Sequence, residues 1–499
     1  MWDTLIQDIR YAVRTLAARP AFAAAAIVTL AIGIGANAAI FSAIDALLLR
    51  SLPYPNGDRL VAINNAYPKT GEFDAGSTIP DYLDRRQQAP SLANSAIYQY
   101  ASFNLTTGSA PVRLIGAQST PTLFPTLGTQ ALLGRVLADD DAVAGRERVA
   151  VLSFDAWQNQ FAGEPGIIGR DLRLDHDVYR VVGVMPKGFF FPDRDVQLWT
   201  PYVIQPEQLN DEERGNSDVQ SIGLLKPGAT IAELETEFRT ITARNAARSS
   251  QLRTDYGLTG FVTHAVSLKT EWFGGMRQTL WLLQGMVALL LLVSSVNVIN
   301  LVLVRFSARR RDFALRSALG ADRRRLTRQI VIESALLAAL GGATGLVLAA
   351  FGLPLLGHIG LAATRRAAAI DFAMGWGPVG FVFVLSVAMG LLLGMVTASS
   401  LRRAHNFDLL RAGGQSGGTN PAGGRLRNAL VVGQFALTLV LLVAAGLLLK
   451  SFLRLQQTDP GFVSKYLLTA RLDLPKSDYA DAAAQTSYYQ RLLVAARAM

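Results

Sequence analysis

Five long apolar stretches dominate the pattern of hydrophobic and polar positions along the chain. They span residues 21–49, 280–304, 330–357, 372–401 and 428–449. About 20 mostly apolar helical residues are needed to cross the hydrocarbon core of a bilayer, which is roughly 30 Å thick. The first stretch is longer than the apolar region of a secretory signal, and no small-residue cleavage site stands out before Arg50. The pattern therefore predicts five transmembrane helices, the first of them a retained anchor.

A shorter amphipathic pattern occupies residues 1–20. Its apolar residues fall at helical spacing, at Trp2, Leu5, Ile6, Ile9, Val13 and Leu16. Polar residues, including Asp8, Arg10 and Arg14, lie off this stripe. Such a helix is typical of the membrane interface, and a helix packed on soluble protein is the alternative. We predict a cytoplasmic interfacial helix.

The arginine distribution gives an orientation. Residues 1–20 carry three arginines, residues 305–329 carry nine, and residues 402–427 carry five. Short loops rich in Lys and Arg stay on the cytoplasmic side. Arg365 and Arg366, between the third and fourth stretches, weigh slightly against this assignment. The totals favour a cytoplasmic N-terminus.

With that orientation, residues 50–279 lie outside and read as an α+β domain. Residues 134–204, with several Gly-containing turns, read as a β-rich subdomain within it. The predicted elements are a helix over 81–100, strands over 112–120 and 178–185, and a helix opened by the capping box of Thr230 and Glu233. The predicted fold class is a multi-pass α-helical membrane protein with an extracytoplasmic α+β domain inserted between the first and second transmembrane helices.

The composition bears on whether the chain could hold a catalytic site, a metal or a cofactor. The chain has no cysteine and four histidines, none at zinc-ligand spacing, and contains no G-x4-GK-S/T phosphate-binding motif. Asp139, Asp140 and Asp141 read as a solvated loop. The net charge of +10 arises mostly beside the apolar stretches, so nucleic acid is not an expected partner. We expect no catalytic residue, no metal site and no cofactor bound by this chain.

Small and polar residues inside the stretches predict close helix packing. Glycines four residues apart let helices approach closely, and a buried amide seeks a partner across helices. Gly33 and Gly35 also fit a loose dinucleotide-binding pattern, but they lie inside an apolar helix with no preceding strand. The residues assigned to helix packing are Gly33, Gly35, Asn37, Gly341, Gly345, Gly390 and Gly394.

The loop over residues 305–329 combines arginines with apolar residues. A short helix there would present a mixed apolar and cationic surface that ends at Gly320, which suits a docking surface better than a solvated charge run does. The residues assigned to partner binding are Arg311, Asp312, Phe313, Leu315, Arg316, Leu319, Gly320 and Ala321.

This loop resembles the cytoplasmic motif of the MacB/FtsX type of ABC-transporter permease. The resemblance rests on Arg311-x4-Arg316-x-Ala318-Leu-Gly320-Ala321 followed by Glu333, with Asp312 where the family usually has Glu. Further segments resemble the duplicated, acidobacterial orphan permeases of that family. They are residues 29–41, 49–55, 134–135, 149–153, 168–170 and 182–186.

The resemblance implies a function and several partners. A separate nucleotide-binding ATPase would bind ATP and dock on residues 311–321, and its movement would pass to the outer domain. The chain would be an inner-membrane permease subunit, in contact with lipids, forming a homodimer or pseudo-dimer, with a periplasmic adaptor as a candidate partner. It would export or extract a hydrophobic or envelope substrate; the alternative is FtsX-like activation of a cell-wall hydrolase without transport.

The resemblance also implies a duplicated chain. Residues 402–427 would be a Gly-rich cytoplasmic linker, and residues 450–499 would begin a second extracytoplasmic domain. We therefore expect the sequence to be a C-terminally truncated piece of a longer permease.

Overall fold

The computed structural model describes residues 2–106, 112–308, 323–359, 375–408, 421–456, 474, 479 and 481–498. These residues fold into two compact units. One unit contains residues 2–49 and the long helices that follow residue 275. The other contains residues 50–275 and a helix near the end of the chain.

Thirteen α-helices occur in the described ranges. In chain order they are α1 (Trp2–Ala17), α2 (Pro20–Ile44), α3 (Ile79–Gln88), α4 (Leu123–Leu127), α5 (Phe154–Phe161), α6 (Ile231–Arg248), α7 (Ser250–Thr259), α8 (Leu268–Phe273), α9 (Arg277–Ala308), α10 (Arg323–Ile359), α11 (Trp376–Asp408), α12 (Pro421–Gln456) and α13 (Ala482–Arg497). A π-helical turn, Asp45–Leu49, continues α2.

Ten strands form one sheet in residues 50–275. They are β1 (Leu60–Ala66), β2 (Leu92–Leu105), β3 (Val112–Ser119), β4 (Leu133–Gly134), β5 (Val149–Leu152), β6 (Asp171–Leu174), β7 (Asp177–Val184), β8 (Leu198–Pro201), β9 (Gln220–Leu225) and β10 (Val262–Ser267). The strand order is β10-β1-β9-β2-β3-β8-β5-β7-β4, with β6 pairing with β2 and β7. The β3–β8 and β5–β7 pairs are parallel, and the others are antiparallel.

Within the described residues, five helical segments are long and apolar enough to cross a membrane, as the sequence predicts. They are Pro20–Leu49, Leu268–Arg305, Thr327–Leu353, Trp376–Ser399 and Val431–Arg454. Pro20 lies in the first turn of α2, where the missing N–H costs no hydrogen bond. The helices α2, α9, α10 and α11 share one apolar core, which includes Leu30, Ile34, Val298 and Leu337.

Two of the apolar clusters of the outer domain pack at different places along the sheet. One packs α6 against the β1 end of the sheet through Phe238 and Ile63. The other lies among β2, β3 and β5 to β8, around Leu105 and Leu174. Residues 134–204 therefore join the same sheet and share the second cluster with β2 and β3.

Several predicted elements of the outer domain are confirmed. Strands β3 and β7 lie within one residue of the predicted ranges. The Thr230 capping box at the start of α6 is also present, since Glu233 N–H donates to Thr230 Oγ1 at 3.2 Å and Thr230 N–H donates to Glu233 Oε2 at 2.8 Å.

The helix predicted over residues 81–100 is wrong in its second half. The helix α3 ends at Gln88, and Leu92–Leu105 is strand β2, paired with β3 and β9. Ala89 is extended, with φ −99° and ψ 98°, because the following Pro90 disfavours helical backbone at the residue before it. The aromatic and β-branched residues after Pro90 suit a strand.

Candidate functional site: the helix bundle and the outer-domain connectors

The predicted docking segment falls between two described helices. All eight residues assigned to partner binding, from Arg311 to Ala321, lie outside the described residues. The structure describes both flanks, because α9 ends at Ala308 and α10 begins at Arg323. Both flanking helices belong to the helix bundle.

The helices α2 and α10 approach each other backbone to backbone. A Cβ placed on Gly35 would lie 2.8 Å from the carbonyl oxygen of Gly345. One placed on Gly345 would lie 2.9 Å from the carbonyl oxygen of Ala31. Real Cβ atoms essentially never come this close to backbone, so only glycine allows the two helices to touch.

The other packing glycines also lie against neighbouring helices. A Cβ on Gly33 would stand 2.9 Å from Leu291 Cδ1 of α9, and one on Gly341 would stand 2.7 Å from Leu30 Cβ of α2. On α11, a Cβ on Gly390 would lie 2.8 Å from Ala335 Cα, and one on Gly394 would lie 3.0 Å from Val331 Cα. The helix α10 thus packs closely on α2 with one face and on α11 with another.

Asn37 ties α2 to α9 within the apolar core. Its Nδ2 donates to the carbonyl oxygens of Gly33 at 2.9 Å and Val287 at 2.7 Å. Its Oδ1 accepts from Gln284 Nε2 at 2.9 Å. Because amide donors and acceptor all have partners, the buried Asn37 acts as a link between helices.

The helix α1 contacts protein with a face that carries both polar and apolar residues. Ile6, Ile9 and Val13 are exposed, whereas Asp8 and Thr15 are buried along with Ala12 and Leu16. α1 packs against α10 and α2. Leu16, which the sequence pattern places on the apolar stripe, lies in the bundle core.

A buried ion pair joins the last turn of α9 to α10. Arg305 Nη2 lies 2.8 Å from Glu333 Oε1, with the two side chains 5% and 7% exposed. Arg305 Nη2 also donates to the carbonyl oxygen of Thr15 at 3.1 Å, and its guanidinium carbon lies 4.5 Å from the centre of the Phe22 ring. Sequence reasoning missed this cluster; the signal was an arginine ending one apolar stretch and a glutamate opening the next.

In the outer domain, the two segments that adjoin the membrane helices in sequence meet in one aromatic cluster. Tyr54 follows α2 closely, and Trp272 precedes α9 closely; their rings lie 6.3 Å apart, edge to face. Both also contact Phe191, and the Tyr54 hydroxyl donates to the carbonyl oxygen of Phe190 at 2.5 Å. Burial raises the pKa of Tyr54 well above its usual value, so the hydroxyl stays protonated as a donor.

A second link joins the same two segments, since Lys269 Nζ donates to the carbonyl oxygen of Arg50 at 2.6 Å. The entry and exit of the outer domain are thus held together within the domain itself.

A buried charged network holds α3 in the outer domain. Arg214 pairs with Asp81, with Asp84 at 2.5 Å and with Asp211 at 2.8 Å. Burial lowers the pKa of Arg214, but Asp81, Asp211 and Asp84 more than offset this and raise it above its usual value. Arg85, equally buried, has its pKa lowered by burial despite the neighbouring Asp81. Because these groups pair with one another, we assign the network a structural role.

The carboxylate run at residues 139–141 is only partly solvated, so the predicted solvated loop is wrong for Asp141. Asp139 and Asp140 are exposed, but Asp141 is buried and pairs with Arg135 Nη2 at 2.8 Å. Although burial opposes it, hydrogen bonds from Arg135 and from the Ala138 N–H hold the pKa of Asp141 below its usual range. Within the described ranges, no cluster of three or more His, Cys, Asp or Glu side chains is arranged to hold a metal ion.

Comparisons with known proteins place this architecture in a family. Residues 23–241 match the MacB-like periplasmic core domain, and residues 285–405 match the FtsX-like permease C-terminal domain. The chain belongs to the MacB/FtsX type of ABC-transporter permease. The periplasmic match begins in α2 and ends in α6, and the FtsX-like match includes parts of α9 and α11 and all of α10. This permease is therefore a multi-pass inner-membrane protein with its outer α+β domain inserted after the first span.

Curated relatives of this permease are larger proteins. The macrolide export ATP-binding/permease protein MacB of Bdellovibrio bacteriovorus is 25% identical over 407 residues, covering 78% of this chain and 57% of that protein. MacB of Campylobacter jejuni is 28% identical over 233 residues, covering 46% of this chain and 34% of that protein. The chain thus spans about a third to somewhat over half of the length of these relatives.

Among solved structures, the periplasmic region of MacB from Actinobacillus actinomycetemcomitans is similar, with 17% identity and a TM-score of 0.31. The similarity covers 45% of this chain and 92% of that structure.

Proposed function

We propose that this permease is the membrane subunit of an ATP-driven machine in which a separate subunit binds ATP. The family membership supports the permease role, and the relatives carry names that combine ATP binding with a permease. The separate subunit docks on residues 311–321, between the ends of α9 and α10, on the cytoplasmic side. The N-terminus lies on that same side, following the arginine distribution.

The observation that carries the proposal is the aromatic cluster of the outer domain. Tyr54, in the segment after α2, packs against Trp272, in the segment before α9. Because the two connectors are locked to each other, a displacement of α2 and α9 moves the outer domain as one body. A domain with two loosely attached ends would lose such a displacement in its connectors.

The bundle itself supports the same path. The contact of Gly35 with Gly345 makes α2 and α10 a closely packed pair, and α10 begins where the docking segment ends. Movement imposed on α10 is therefore passed to α2, the helix that leads into the outer domain. The proposed output is export or extraction of a hydrophobic or envelope-located substrate, by two copies or two halves of the permease and with a periplasmic adaptor as a candidate partner.

A second output is kept because the helical part matches the FtsX-like permease domain. In that reading the outer domain activates a cell-wall hydrolase and nothing is transported. Substrate-dependent efflux by cells that express the permease favours export. Binding and stimulation of a purified hydrolase by the full-length permease, without efflux, favours signalling.

The docking segment is tested by charge reversal. The double variant Arg311→Glu with Arg316→Glu should abolish co-purification of the ATP-binding subunit while membrane insertion stays normal. The matched control is Arg402→Glu with Arg403→Glu, two arginines beside another predicted span on the same side. Retained co-purification in the first variant, or equal loss in both, would refute the assignment of residues 311–321.

A further inference from the structure

Arg305 contacts a partner on each of three other helices of the bundle. It belongs to the last turn of α9. Its guanidinium meets the Glu333 carboxylate of α10 at 2.8 Å, the Thr15 carbonyl oxygen of α1 at 3.1 Å, and the Phe22 ring face of α2. We propose that Arg305 is a positioning residue that fixes the four helix ends around the docking segment, so that a push on that segment moves α2. The proposal rests on the proposed function for the source of the push.

The chemistry suits arginine in particular. A planar guanidinium can accept a carboxylate at its edge and an aromatic ring on its face at the same time, and a lysine ammonium cannot do both in this geometry. The pair is almost fully buried, which makes it costly to assemble. A buried ion pair adds little to stability compared with apolar residues of the same shape, so its benefit lies in specifying one arrangement of the helices.

A second contact joins α10 to the same buried face of α1. Arg328 Nη2 of α10 lies 2.6 Å from Asp8 Oδ2 of α1. The Arg328 side chain is 41% exposed, so this pair is screened by solvent and contributes little. The helix α1 is thus held at Asp8 by a weak pair and near its end, at Thr15, by the buried cluster.

Contacts lead from Arg305 to α2 both directly and through α10. On α10, Glu333 precedes Gly341 and Gly345. At Gly345 the backbone of α10 contacts the backbone of α2. Phe22 lies in the first turn of α2 itself. A displacement of the ends of α9 and α10 therefore meets α2 both at its beginning and along its length. Intermediate position alone is not evidence of coupling, which requires a direct measurement.

The first measurement needs no ATP-binding subunit. The chain has no cysteine, so spin labels on Val28→Cys of α2 and Val304→Cys of α9 report one distance in the full-length protein. Both positions are exposed. We expect a single narrow distribution in the parent, a broadened or shifted one in Arg305→Met and in Glu333→Gln, and partial recovery in Arg305→Lys. The control Arg14→Met, on the exposed surface of α1, should match the parent. An unchanged distribution in Arg305→Met would overturn the proposal.

The second measurement separates positioning from stability and from docking. In complex with the co-purified ATP-binding subunit, Arg305→Met should lower kcat of the permease-stimulated ATP hydrolysis by between about twofold and about thirtyfold. The KM for ATP and the amount of bound subunit should not change. A parental kcat, or loss of the subunit, would overturn the role in transmission. If the parent itself binds no such subunit, the proposed function fails, and the label distance still decides whether Arg305 fixes the helix ends.

Discussion

Gly35 and Gly345 face each other across the α2–α10 contact with no room for a methyl group between them. The missing side chains bring backbone against backbone, so the contact has little capacity to deform. Substitution of Gly345 by Ala should destabilise the bundle by about 1–3 kcal/mol, because the new Cβ would press on the Ala31 carbonyl oxygen. Thermal unfolding of the full-length protein in detergent measures this.

Gly352 on the same helix is the matched control, since nothing lies within 4 Å of a Cβ placed there. Gly352→Ala should leave the midpoint unchanged or raise it, because alanine favours helix by about 1 kcal/mol over glycine. Equal losses at the two positions would mean that the contact with α2 does not determine the result, since helix propensity alone would raise both midpoints.

Replacement of Asn37 by Leu should loosen α2 from α9. The change removes the hydrogen bonds to Val287 and Gln284 and leaves those groups without Asn37 in an apolar core. Such links in membrane helices contribute about 0.6–1.7 kcal/mol. Denaturation by SDS in mixed micelles reports the loss. Thr29→Val is the control, because its hydroxyl donates only within its own helix, to the carbonyl oxygen of Ala25; a loss as large as that of Asn37→Leu would contradict the interhelical role.

In the outer domain, Arg214→Met should be far more damaging than the same change at Arg148. Arg214 is 6% exposed and pairs with Asp81, Asp84 and Asp211, so its removal takes the closest cation from the buried Asp81 carboxylate and costs about 3–5 kcal/mol. Arg148 pairs with Asp177 at the surface, where an ion pair contributes about 0–1 kcal/mol. Urea unfolding followed by circular dichroism compares the two. Similar midpoints would show that the network is solvated in solution.

Asp211 makes the outer domain sensitive to acid. Hydrogen bonds from Arg248 and then Arg214 hold its pKa below the usual value, which is about 3.9 in unfolded chains. A depressed folded pKa stabilises the fold above about pH 4, and that contribution is lost as the pH falls through the folded pKa. The midpoint difference between the parent and Asp211→Asn should therefore be largest near pH 7 and shrink below about pH 4. A difference that stays constant down to pH 3 would assign the loss to shape instead of charge.

The sequence predicts elements with strong local signals. Long apolar runs predict the five spans, and the Thr230–Glu233 capping box predicts the start of α6, since each signal lies within one segment. The helix predicted over residues 81–100 fails because Pro90 ends the helix and the residues after it pair as β2 with the next strand, β3, and with the distant strand β9.

The sequence does not show which residues of distant segments contact each other. Small residues four apart predict that a helix approaches some neighbour, but not that Gly35 meets Gly345. The Arg305–Glu333 pair joins charges that each lie near a span end, where either side chain could equally have reached water or headgroups. On α1, Asp8 lies off the apolar stripe and is buried, whereas Ile9 and Val13 of the stripe are exposed, because periodicity gives the faces of a helix but not what covers them.

The central position of α2 has a consequence for how the protein is made. Of the five candidate spans it has the largest buried share, and its neighbours α9 and α10 begin only after the whole outer domain. At a synthesis rate of about 5–20 residues per second, the outer domain takes on the order of ten seconds or more to emerge. During that delay Asn37 and the glycines of α2 face lipid or the insertion machinery. Biogenesis of this permease therefore includes a waiting period for its first helix, which ends only when α9 and α10 arrive to enclose it.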